Sequence, residues 1–154
     1  MTLQESQSER LIRRLRRLQT FSSSDLRLII ESAIALAAIR VAFFFFSFHT
    51  LLGLLDAISE STATRTRLAS GRPERVAWAV DLVSRQVRST ENCLIRALAV
   101  RALLKRRLHP TELRFGVAPS SEGGFAAHAW VESDGAVVIG GRGLAVFTPL
   151  CGKR

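Results

Sequence analysis

At Pro110 the hydrophobic rhythm of the chain changes. Before it, apolar residues recur at helical spacing. After it, "TELRFGV", "FAAHAWVE" and "AVVIGG" read as strands, and "SDG" between the last two reads as a hairpin turn. Helices first and strands afterwards predict an α+β fold rather than an alternating βαβ chain. The 154 residues suffice for one real core, and 47% hydrophobic with 23% charged residues is a globular balance rather than a disordered one.

The helical part opens with "SERLIRRLRRLQ", where Leu11, Ile12, Leu15 and Leu18 recur at helical spacing among arginines. "FSSSD" then supplies helix N-caps. A long apolar stretch follows, "LRLIIESAIALAAIRVAFFFFSFHTLLGLL". Between Glu31 and His49 lie 17 residues, with Arg40 in the middle. A bilayer-spanning helix needs about 20 largely uncharged residues. A mid-bilayer arginine costs at least about 2.5 kcal/mol. The stretch also starts too late for a signal peptide and lacks a small-residue cleavage site. The expectation is one or two buried helices and no transmembrane span. The alternative for "FFFF" is a patch facing a partner or lipid.

Residues 56–72 are polar and rich in Ser and Thr, which marks a linker. It divides the chain into a helical region, 1–72, and a core, 73–154. "RPERVAWAVDLVSRQV" predicts a helix with Pro73 near its first turn and Val76, Val80 and Val83 on one face. In "STENCLIRALAVRALLKRRLHP", Ser89 or Thr90 can cap the start. Lys105, Arg106 and Arg107 suit the C-terminal dipole, and Pro110 stops the helix. Apolar residues cover most of its circumference, so it is expected to be the buried central helix.

Net charge is +9, from 22 Lys+Arg against 13 Asp+Glu. The excess fits an acidic partner, or an arginine-rich codon bias, since the arginines are scattered. Two cysteines, Cys93 and Cys151, are too few for a disulfide framework. A reduced, cytoplasmic setting is expected, with one thiol free to work.

Cys93 falls in the first turn of the central helix. Unpaired N–H groups and the positive dipole end favour a thiolate there, and an oxyanion nearby. The plain alternative is a buried, inert cysteine. His128 shares a strand face with Trp130 and Glu132, while Ala127, Ala129 and Val131 take the other. A strand histidine meeting a helix-start cysteine is the nucleophile–base arrangement of a thiol hydrolase. A hydrogen-bonded structural histidine is the alternative. His109 looks exposed beside Pro110, and His49 has no obvious partner. Cys93, His128 and His109 match no metal-binding spacing, so no metal is expected. No cofactor is expected either: no glycine-rich phosphate loop follows a strand, and no serine elbow is present.

The ordered blocks "CLIRALA", "LRFGV" and "FAAHAWVE" resemble the core of the lasso peptide biosynthesis B2 proteins. These are transglutaminase-like cysteine proteases, similar to the C-terminal part of the microcin J25-processing enzyme. The resemblance covers residues 76–141. It implies a transglutaminase- or papain-like core in which the Cys-bearing helix packs on a small antiparallel sheet. It implies Cys93 as nucleophile and His128 as general base, later acid. It implies a leader peptidase that cleaves a ribosomally made precursor peptide, with an asparagine-synthetase-like cyclase closing the product. Residues 1–72 lack the alternating strands of a fused leader-binding module, so a separate B1 protein is the expected partner; nucleic acid is not. Two other readings stay open: an inactive relative acting as scaffold, and a basic membrane-associated protein without catalysis.

The chain departs from the family at one place. An Asp usually stands about twelve positions after the histidine; here that place is Gly140, followed by Gly141. A two-residue turn at Asp134 and Gly135 would set Ala129 opposite Gly140 and His128 opposite Gly141. Asp134 would lie roughly 20 Å from His128 along the strand, and Glu132 about 13 Å. The third role is left to a backbone carbonyl, a water or another segment.

Overall fold

The structure, a computed structural model, describes residues 22–63, 72–86, 93–120 and 123–150. The expected helix within 1–20, the caps Ser89 and Thr90, and Cys151 lie outside these residues.

Four helices come first: α1 (Ser23–Phe45), α2 (Phe48–Ala63), α3 (Pro73–Ser84) and α4 (Cys93–Lys105). Strands β1 (Glu112–Pro119), β2 (Phe125–Ser133) and β3 (Ala136–Ile139) follow, then a 3-10 turn (Leu144–Val146) and β4 (Thr148–Leu150). The antiparallel sheet has the order β3-β2-β1-β4. The α+β expectation holds: helices on one side, a small antiparallel sheet on the other.

Helix α4 is the hub. It packs on α1, α2, α3 and β2. Leu98, Val100, Leu103 and Leu104 are fully buried on it, in one cluster with Ile39 of α1, Leu51 of α2, Val76 and Val80 of α3, and Val131 of β2. A helix apolar nearly all round can be satisfied only by neighbours on every side. Ion pairs brace the same contacts. Asp56 accepts from Arg101 at 3.0 Å and Lys105 at 2.9 Å, joining α2 to α4. Asp81 accepts from Arg96, joining α3 to α4, and Asp25 accepts from Arg75, joining α1 to α3. Glu31 of α1 takes Arg107 at 2.5 Å and Arg27 at 3.0 Å. Burial pulls the Glu31 carboxyl up, but the two guanidinium groups outweigh it and hold the group below the ordinary carboxylate value.

Four expectations are corrected. The polar stretch from residue 56 is helical as far as Ala63, because Asp56 is tied to α4 and Leu52 and Leu55 lean on the core. The apolar stretch forms two helices, but α1 is buried along one side only. Ser32 and Ile39 are enclosed while Ile34 and Phe44 face outward, because α1 forms the outer edge of the helical layer. By length and composition α1 could cross a membrane. His109 is half-buried rather than exposed. Its N–H bonds the Leu104 carbonyl and the Leu108 N–H bonds that of Lys105, a Schellman closure with Leu108 at φ 61°. The helix therefore ends on Leu108, before Pro110 acts.

The fourth correction is one of register. Asp134 (φ 51°) and Gly135 (φ 78°) do form the turn, and Ser133 pairs with Ala136. Glu132 pairs with Val137, but Val131 pairs with Ile139. Val138 is thus an extra residue, a β-bulge, and everything after it slides by one. Gly140 comes to lie against Trp130 instead of standing opposite Ala129.

Candidate active site

Strand β2 divides its side chains between two environments. Ala129 and Val131 enter the core with α4. His128, Trp130 and Glu132 take the opposite face, by strand alternation. On that face His128 sits between two aromatic rings. Phe147 stacks on it with centroids 5.0 Å apart and planes at 26°, and Trp130 at 6.4 Å and 21°. Phe147 arrives from the 3-10 turn before β4, which pairs with β1. Room for it comes from Gly116, which is paired with His128. A Cβ there would come within 3.0 Å of both Phe147 and Trp130.

The second nitrogen of the imidazole has a partner. His128 Nε2 lies 2.8 Å from the carbonyl oxygen of Gly140. A carbonyl can only accept, so Nε2 carries the hydrogen, and in the neutral ring Nδ1 is the nitrogen that presents a lone pair. A backbone carbonyl thus takes the third role that the sequence left unassigned. Glu132, the carboxylate on the same face, is engaged elsewhere: Trp130 Nε1 donates to it at 2.8 Å and Arg114 approaches at 3.4 Å. Asp134 stays in the turn. Gly140 itself has φ +83°, and a Cβ on it would meet the Ala129 oxygen and Trp130 Cβ at 2.8 Å. An aspartate cannot occupy this backbone without moving it.

Cys93 is the first residue of α4, half-buried against the edge of the core. Its position exposes it to the unpaired amides of the helix start. No hydrogen bond joins its sulfur to His128 among the described residues. The thiol belongs to the helix layer and the imidazole to the far face of β2. His49 is exposed in the first turn of α2. Among the described residues, no three His, Cys, Asp or Glu side chains stand together as metal ligands.

Sequence reasoning missed Phe147 and the role of Gly116. Gly116 did carry a signal, since a glycine inside a strand pattern marks a close approach. Phe147 carried none, because β4 is only three residues long.

The described residues carry a thiol at a helix start and an imidazole on a strand, within an α+β layer order that does not bring the two into contact. The chain belongs to the transglutaminase-like superfamily, which it matches over residues 33–152. That superfamily commonly contains cysteine peptidases. No curated protein and no solved structure matches the chain.

Proposed function

We propose that this protein is a cysteine peptidase of lasso peptide maturation, of the B2 type, removing the leader from a ribosomally made precursor. The observation that carries the reading is the Nε2–H···O bond from His128 to Gly140, which leaves Nδ1 as a base inside a superfamily of thiol enzymes. The family resemblance of "CLIRALA", "LRFGV" and "FAAHAWVE" supplies the substrate class.

In this reading His128 Nδ1 takes the Cys93 thiol proton, and sulfur attacks the scissile carbonyl carbon. The resulting oxyanion lies near the positive end of α4. The carbon–nitrogen bond breaks, and His128 returns the proton to the departing amine, which is the new N-terminus of the core peptide. Water then gives a proton to Nδ1 and displaces sulfur from the thioester, releasing the leader as a carboxylic acid, and Nδ1 passes that proton to the Cys93 sulfur to restore the thiol. Cys93 and His128 occupy different layers in this structure, so this step requires the start of α4 or strand β2 to rearrange until the two side chains meet. A separate leader-binding B1 protein delivers the precursor, and an asparagine-synthetase-like cyclase uses the amine; the setting is cytoplasmic.

Mass spectrometry of precursor, partner and enzyme tests this. Cys93→Ala should abolish leader release, and His128→Ala should slow it by roughly 10²–10⁴-fold. A second reading, a scaffold without catalysis, is favoured by the absence of a carboxylate on His128. Unchanged processing by Cys93→Ala would establish it and sink the first.

A further inference from the structure

The outer side of α1 is the largest feature that the peptidase reading leaves unused. Every exposed side chain from Ile30 to Phe46 is apolar. Ile30 is 51% exposed, Ile34 63%, Val41 56%, Phe44 82% and Phe45 77%. At 1.5 Å per residue this ridge runs about 22 Å, four helical turns. It ends in the phenylalanines at the α1–α2 corner. Soluble monomers rarely leave so continuous an apolar strip uncovered.

We infer that the ridge seats on an anionic lipid surface, with α1 lying in the plane of the membrane interface. Three observations choose lipid over a protein partner. First, the ridge has no exposed polar side chain over its length. A protein interface carries about one hydrogen bond per 100–200 Å² to set orientation, whereas hydrocarbon asks for none. Second, Arg10, Arg13, Arg14, Arg16 and Arg17 precede α1 in the chain, and no acidic residue occurs from Arg10 to Ser24. Each basic residue near an anionic leaflet strengthens partition roughly fivefold. Third, the two acids of α1 are neutralised: Asp25 is held by Arg75, and Glu31 by Arg27 and Arg107. No free carboxylate on the helix opposes the lipid charge.

The helix lies on the membrane rather than across it. Its inner side is part of the core through Ile39 and Ser32, and it packs on α3 and α4. Spanning would expose that side, and the ion pairs of Asp25 and Glu31, to hydrocarbon. This inference is independent of the peptidase reading.

Flotation of the full chain with phosphatidylcholine vesicles, with and without phosphatidylglycerol, tests it. The chain should float with the anionic vesicles and release in high salt or on carbonate washing. Ile34→Glu and Phe44→Glu, both at well-exposed positions, should each weaken partition roughly tenfold or more with unchanged thermal unfolding. Phe45→Trp should add a blue-shifted emission when vesicles are mixed in. Four results would overturn the inference. They are no flotation, equal flotation of wild type and ridge variants, resistance to carbonate, and a dimer in sedimentation that Phe44→Glu breaks and vesicles do not displace.

Discussion

Replacing Gly140 with alanine is the sharpest test of how His128 is held. The backbone there sits at φ +83°, where a Cβ costs about 1–2 kcal/mol. The added carbon would also lie 2.8 Å from the Ala129 oxygen, 2.8 Å from Trp130 Cβ and 3.0 Å from Trp130 Cα. Two of these neighbours are backbone atoms, and Trp130 is buried, so none swings aside cheaply. The loss should total about 2–4 kcal/mol, at the upper end for a point substitution. Urea unfolding reads this directly. Relief requires the 139–141 backbone to shift, which pulls the carbonyl off Nε2. Nitrogen-15 NMR of the histidine ring should then show mixed tautomers where the parent protein shows Nε2–H alone. Gly140→Asp, which writes in the acid that the B2 resemblance leads one to expect there, should be at least as damaging and should not raise activity. A Gly140→Ala protein of unchanged stability with an unchanged tautomer would refute the argument.

Other outcomes follow from the same structure. Phe147→Ala should cost about 0.5–1.5 kcal/mol in lost stacking beyond its area and broaden the His128 ring resonances, because one wall of the slot is gone. Glu31→Gln should cost about 1–3 kcal/mol at neutral pH, measured by denaturant unfolding, since Arg107 is left nearly enclosed and short of its anion. Against the upward pull of burial, Arg107 and Arg27 hold the folded carboxyl below its ordinary value. Its contribution is therefore full above that value and is lost as pH falls through the lower folded value, so wild type and variant should converge in acid. Leu108→Gly should stabilise by about 1 kcal/mol in thermal unfolding, because an exposed leucine at φ 61° occupies a glycine position of the α4 closure.

The helices and strands were legible because their periods are strong. Val76 and Val80 mark the α3 face, and "SDG" fixes the hairpin. The register was not legible past Glu132. A bulge at Val138 depends on how that side chain settles against the core, and one extra residue moves Gly140 from Ala129 to Trp130. Residues 56–63 look like a linker by composition, and only the pull of Arg101 and Lys105 on Asp56 shows why the helix persists. Cys93 and His128 stood out as residue types at a helix start and on a strand. Phe147 did not, because its role comes from chain return rather than local pattern. The exposure of α1 was hidden for a related reason: an all-apolar helix reads as interior whichever side it turns outward.

The Gly140 carbonyl has one property that no aspartate shares: it does not ionise at any working pH. An enzyme whose imidazole leans on a carboxylate has three coupled protons to count, and it loses its prop as acid neutralises that carboxylate. Here the prop is indifferent to acidity. The ring's alignment is thereby tied to the fold itself, and it should persist in acid for as long as the hairpin and its bulge stay folded.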